Sequence, residues 1–89
     1  MEILKSASAG TFESSDAYVE IEPKNDGLEI EVESVVKEQF GEEIYSAVKS
    51  VLEENAVTSA RVRIVDRGAL ECVIRARVET AVLRGKGDN

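Results

Sequence analysis

The chain has 89 residues, room for one domain, with 18 acidic and 11 basic side chains and a formal charge of −7. That balance excludes general binding to nucleic-acid phosphates and docking on an anionic membrane, both of which need a basic surface. Histidine is absent and cysteine occurs once, at Cys72, which excludes a Ser-His-Asp or Cys-His nucleophile, an internal disulfide and a cysteine–histidine zinc site.

Met1-Glu2-Ile3-Leu4-Lys5 is followed by no apolar core of the kind a signal peptide needs. No apolar run approaches membrane-spanning length. A cytoplasmic protein is therefore expected. Lys5 to Ser15 is rich in small residues and reads as a surface loop or a weakly paired lead-in strand, with residues 1–15 a flexible N-terminal segment.

Tyr18-Val19-Glu20-Ile21-Glu22 reads as a strand stopped by Pro23, and Lys24-Asn25-Asp26-Gly27 is strong turn chemistry. Leu28, Ile30 and Val32 then alternate with Glu29, Glu31 and Glu33, giving one buried and one acidic face. The two strands predict an antiparallel hairpin over 16–33. Ser34 can act as an N-cap. Val36, Phe40, Ile44, Ala47, Val48 and Val51 recur at spacings of three and four, so 35–55 reads as a long amphipathic helix, with Asn55 a candidate left-handed terminus.

Residues 59–66 alternate as a third strand. The following segment, 69–84, fits two patterns. Ala69, Cys72, Val73, Ala76, Thr80 and Leu83 form a helical stripe, while Leu70, Cys72, Ile74, Ala76 and Val78 alternate as in a strand. Helix is preferred, because a strand over 70–82 would be unusually long and alanine-rich. Cys72, among apolar neighbours, reads as a buried structural residue. Residues 85–89 read as a frayed tail. The whole predicts a single α+β domain over 1–89: a small, mainly antiparallel sheet with a long helix and a C-terminal helix (alternatively a strand) on one face.

The charge is uneven. Residues 1–57 carry a balance of −10 and residues 58–89 one of +3, and all six arginines lie in the second part. A solvated, mixed-charge surface explains this, as does a docking face for an acidic partner or a phosphate-bearing group. Under the second reading, the arginine-bearing part, Arg75 and Arg77 included, offers that face.

Walker loops, dinucleotide-binding glycine motifs, zinc-protease helices, EF-hand loops and nucleophile elbows are all missing from the sequence. The carboxylates of the 28–33 strand are spaced for a solvent face, so no catalytic group and no metal ligand is assigned. One stretch remains, Gly10-Thr11-Phe12-Glu13-Ser14-Ser15-Asp16. Taken alone, Ser-Ser-Asp is ordinary turn chemistry. With no base nearby in sequence, a serine here is no self-activated nucleophile. A serine that another enzyme modifies needs only an accessible backbone.

Ala9-Gly10-Thr11-Phe12-Glu13-Ser14-Ser15-Asp16 resembles the modification motif of the acyl carrier (gamma) subunits of citrate lyase. Val36-Lys37-Glu38-Gln39-Phe40-Gly41, Val57-Thr58-Ser59-Ala60 and the stretch from Asp66-Arg67-Gly68-Ala69-Leu70-Glu71-Cys72 to Ile74-Arg75-Ala76-Arg77-Val78 are similar to the same family, in the same order. Phe12 departs from the leucine usual there and keeps an apolar anchor. The resemblance implies a non-catalytic subunit that carries acetyl and citryl thioesters during cleavage of citrate to acetate and oxaloacetate. It implies covalent attachment of 2'-(5''-phosphoribosyl)-3'-dephospho-CoA to Ser14, the serine that directly follows glutamate, in preference to Ser15. The implied partners are a transferase (alpha) subunit, a lyase (beta) subunit and a prosthetic-group transferase. Two alternatives stand beside it: the carrier subunit of malonate decarboxylase, which uses the same type of group, and an unmodified small interaction module.

Overall fold

The computed structural model describes residues 2–35 and 37–87. Its elements run β1 (Ala7–Gly10), β2 (Ala17–Glu22), β3 (Leu28–Ser34), α1 (Lys37–Glu54), β4 (Ala60–Asp66) and α2 (Glu71–Gly85). The strands form one sheet in the order β1-β2-β4-β3. β1 with β2 and β2 with β4 are antiparallel, and β3 with β4 is parallel. The class is α+β, as the patterning predicts, and the segment left open between helix and strand is the helix α2. Lys5 to Ser15 resolves into the strand β1 and a loop.

The hairpin expected over 16–33 does not form. β2 and β3 run in opposite directions, but β4 lies between them and pairs with both. Charge supplies the physical reason. β2 presents Glu20 and Glu22 on its outward side, and β3 presents Glu29, Glu31 and Glu33. Paired directly, the two strands would set like charges opposite one another, which is destabilising. β4 brings Arg61 and Arg63 between them. Arg61 lies 3.2 Å from Glu22 and 3.5 Å from Glu29, and Arg63 lies 3.4 Å from Glu20 and 3.1 Å from Glu33. Each exposed pair contributes little to stability by itself. Together they make β4 a complementary neighbour for both acidic strands. The 23–27 turn reverses the chain as its residues suggest, but it steps over a strand. Its end is fastened to the start of β4: the Gly27 N–H donates to Ser59 Oγ, and the Ala60 N–H to the Gly27 carbonyl. β3 and β4 are parallel, and α1 makes the crossover that parallel strands require.

The other face of the sheet is apolar and covered by both helices. Val19, Ile21, Val62 and Ile64 from the central strands pack with Val48 and Leu52 of α1 and Val78 and Val82 of α2 in one buried cluster. In α1 the expected stripe holds at Ile44, Ala47, Val48 and Val51, whereas Phe40 is half exposed. Val36 lies outside the described residues. α2 buries Ile74, Val78, Ala81, Val82 and Gly85. That is a different face from the stripe through Cys72, Ala76 and Leu83 that the sequence suggested. Cys72 is therefore exposed, not buried. α2 carries apolar residues on both sides, so the stripe alone left the inward face undecided. Gly85 closes α2 against the N-terminal segment: its carbonyl accepts the N–H groups of Leu4 and Lys5, and a Cβ there would press on Ile3 and Ile21 at 3.2–3.3 Å. Of the expected frayed tail, Asp88 and Asn89 lie outside the described residues.

The end of α1 is a Schellman turn. The Ala56 N–H donates to the Glu53 carbonyl and the Val57 N–H to the Leu52 carbonyl. The left-handed residue is Ala56, at φ 57°, and not Asn55. Asn55 instead sends its side-chain amide to the Val51 carbonyl. An alanine in this conformation is strained where glycine is not. Ala56→Gly should raise the unfolding free energy by about 1 kcal/mol, measured as a higher urea midpoint with an unchanged slope.

Candidate functional site

β1 and β2 form an antiparallel hairpin in which Gly10 lies opposite Tyr18. The loop between them holds the stretch the sequence singled out. Gly10 turns the chain into this loop at φ 96°, so close to β2 that a Cβ would overlap the Ala17 carbonyl. Only glycine fits there. Glu13 to Asp16 then form a β-turn, closed by the Asp16 N–H donating to the Glu13 carbonyl at 3.1 Å. Ser14 and Ser15 are the two central residues, and both are exposed. Ser15 sits in the left-handed region at φ 68°. Ser14 is thus at the tip of the hairpin. Among the described residues no hydrogen bond engages its hydroxyl, and its side chain is open to solvent.

The turn is held from three sides. On its own strand, the Thr11 hydroxyl donates to Asp16 Oδ2 at 2.6 Å and accepts the Glu13 N–H at 3.2 Å. From the end of β4, the Arg67 carbonyl accepts the Ser15 N–H at 2.8 Å, the Arg67 N–H donates to the Asp16 carbonyl at 2.9 Å, and Arg67 Nη1 donates to the Phe12 carbonyl at 3.1 Å. From α2, Arg77 reaches Asp16 with a two-pronged contact, Nε to Oδ1 and Nη2 to Oδ2, both 2.9 Å. Such a planar fork fixes orientation as well as distance. Phe12 stacks on Tyr18 with ring centroids 4.4 Å apart, which pins the apolar shoulder of the loop to the open face of the sheet.

The anchor of β4 at this end is Asp66, buried to 1% exposure. It accepts the Ser34 hydroxyl at 2.7 Å and the Ala69 N–H at 2.9 Å, joining the ends of β3 and β4 to the approach to α2. A buried carboxylate is tolerated because its oxygens are bonded in this way.

Hydrogen bonding keeps Asp16, the carboxylate just before β2, from serving Ser14. The hydrogen bonds from Arg77, then those from Thr11 and the Ala17 N–H, hold Asp16 well below the usual carboxylate range. Both oxygens are occupied, so Asp16 braces the turn and is no base for Ser14. Arg77 also occupies itself here, and Arg75 pairs with Glu54 at 2.7 Å. The sequence offered these two arginines as docking or phosphate-binding groups; the fold gives both to carboxylates of the same chain. What the sequence missed is the brace itself. Asp16 and Arg77 are 61 positions apart, and only the packing of α2 against β1 and β2 brings them together.

A carboxylate with a lowered pKa stabilises the fold fully above its unfolded pKa, near 3.9, and the contribution is lost as the pH falls from there through the lowered folded value. Asp16→Asn should therefore melt at a lower temperature than the wild type at pH 7, and the gap should narrow as the pH is taken below about 4. Thermal melts across that range check it.

No helix among the described residues is long and apolar enough to cross a membrane. Residues 4–85 match the family model described as "ACP: Malonate decarboxylase delta subunit (MdcD)". The chain is 48% identical over 84 residues to the citrate lyase acyl carrier protein of Oenococcus oeni, covering 94% of this chain and 87% of that one. It is 52% identical over 85 residues to the citrate lyase acyl carrier protein of Escherichia fergusonii, covering 94% and 88%. Its fold is shared by a chain in the crystal structure of a Pseudomonas malonate decarboxylase hetero-tetramer in complex with malonate, with a TM-score of 0.75 at 23% identity over 94% of this chain and 91% of the other. With residues 4–85 matched by that family model and about half of the aligned residues shared with these relatives, the chain belongs to the acyl carrier protein family of citrate lyase and malonate decarboxylase.

Proposed function

We propose that this chain is the acyl carrier subunit of citrate lyase, with Ser14 as the attachment point of 2'-(5''-phosphoribosyl)-3'-dephospho-CoA. The observation that carries the choice of lyase is the identity of about half, over 94% of the chain, to proteins named citrate lyase acyl carrier protein. The likeness to the malonate decarboxylase structure, at 23% identity, speaks for the fold alone. Ser14 and Ser15 share the exposed centre of a turn that Arg67 and Arg77 hold in position, and the resemblance of the Glu13-Ser14 motif favours Ser14. The thiol of the bound group would supply the thioester that carries acetyl and citryl units.

What the chain's own residues do follows from the geometry. Ser14 offers a hydroxyl, and the chain has no histidine to activate it. Asp16 is committed to Arg77. The base for attachment therefore belongs to a prosthetic-group transferase, and this chain is a non-catalytic carrier. Once loaded, it works with transferase and lyase subunits in the cytoplasm as one part of a lyase complex. Its contribution is to keep the acyl group at high effective concentration near both partners. A short, stiff base for the arm narrows the volume that the arm searches.

Intact-mass analysis of chain from a citrate-fermenting host tests the proposal. A coenzyme-A-sized increment should appear on the wild type and be abolished in Ser14→Ala. It should persist in Ser15→Gly, which preserves the left-handed backbone while removing the neighbouring hydroxyl. An increment that follows Ser15, or none on the wild type, would sink it.

A further inference from the structure

The arginines divide by what they touch. Among the described residues, Arg61, Arg63, Arg75 and Arg77 have carboxylate partners. Arg67 and Arg84 donate to backbone carbonyls, those of Phe12 and Ser8. Of these two, Arg67 lies on the Ser14 turn. Its backbone is bonded to Ser15 and Asp16, and its side chain reaches back to the Phe12 carbonyl. The guanidinium therefore lies alongside the segment that contains Ser14. Phe12 and Ser14 are two residues apart, so their Cα atoms are separated by at most about 7 Å. A guanidinium has five N–H donors, and one is seen bonded here. Glu13, beside Ser14, is exposed and lies in no ion pair with Arg67 among the described residues.

A phosphodiester on the loop would add negative charge that the Asp16–Arg77 pair does not offset. Asp16 is matched by Arg77. A phosphodiester on Ser14 would add a second anion next to Glu13, in a chain whose formal charge is already −7. Arg67 is the cation in place to meet it, and a planar fork suits phosphate oxygens. We propose that Arg67 is the phosphate-binding residue of this site, its guanidinium holding the phosphodiester through which the prosthetic group is joined. The proposal rests on Ser14 being the attachment point. It makes Arg67 a positioning residue for the base of the arm, acting on the phosphate and not on the thioester.

The test compares the chain before and after enzymatic loading, with attachment at Ser14 verified by peptide mass. The Nε–H of Arg67, followed by nitrogen-15 NMR, should exchange with solvent about fivefold more slowly in the loaded chain, the scale of a surface charge pair. The effect should shrink as salt is raised toward about 1 M, where exposed charges are screened. The phosphorus resonance of the phosphodiester should move with salt in the wild type and lose that dependence in Arg67→Gln, which retains a donor for the Phe12 carbonyl but no charge. A brace that serves only the loop would leave exchange at Arg67 the same in both forms. That result, with the group on Ser14, overturns the role of Arg67 and leaves the attachment point standing. A chain that takes up no group at Ser14 overturns both.

Discussion

The sheet depends on a complementary strand lying between two acidic ones. β4 carries Arg61 and Arg63 toward the carboxylates of β2 and β3 on one face, and Val62 and Ile64 into the core on the other. Among the described elements it is the strand that pairs with both β2 and β3. Without it, β2 and β3 have unpaired backbone along their inner edges and like charges across the gap. Its C-terminal end matters as much as its middle. Asp66 gathers β3 and the approach to α2, and the next residue, Arg67, fixes the serine turn.

The same arrangement explains how a chain of this size holds a loop still. A hairpin tip on its own is held weakly, since ordering a few residues costs entropy that few contacts offset. Here the tip touches two other elements. α2 packs Val78 and Val82 into the core, and that packing sets the position from which Arg77 grips Asp16. The left-handed Ser15 is kept in place by its N–H bond to Arg67. Strain of this kind persists when the surroundings over-determine it. The serine is left exposed while the backbone on both sides of it is bonded.

Much of this was legible in the sequence. The 2-fold alternation of Leu28 to Glu33 and the spacing from Ile44 to Val51 correspond to β3 and α1, because each has a single apolar face. The pairing of β2 and β3 with β4 is not legible there: turn residues announce a reversal of direction, not which strand fills the space beside it. The inward face of α2 is not legible there either. Cys72, Ala76 and Leu83 are apolar, as are Ile74, Val78 and Val82, so periodicity gives two answers and the neighbouring strands choose between them. At the candidate site, the motif around Ser14 stood out by composition and resemblance. Its braces did not, since Arg67 and Arg77 are identifiable only when a topology brings distant residues to one end of the sheet.

The order of the braces along the chain has a consequence for timing. Ser14 leaves the ribosome early, but Arg67 and Arg77 are made more than fifty residues later. Until then the turn has its local bonds but lacks those from Arg67 and Arg77, and β2 lacks its central neighbour. The fully braced form of the serine turn thus exists only in a chain that has been made past Arg77 and has closed its sheet. An enzyme that recognises the shape of this turn, and not merely its residues, would pass over nascent and truncated chains, and an expensive prosthetic group would go only to carriers already able to hold it.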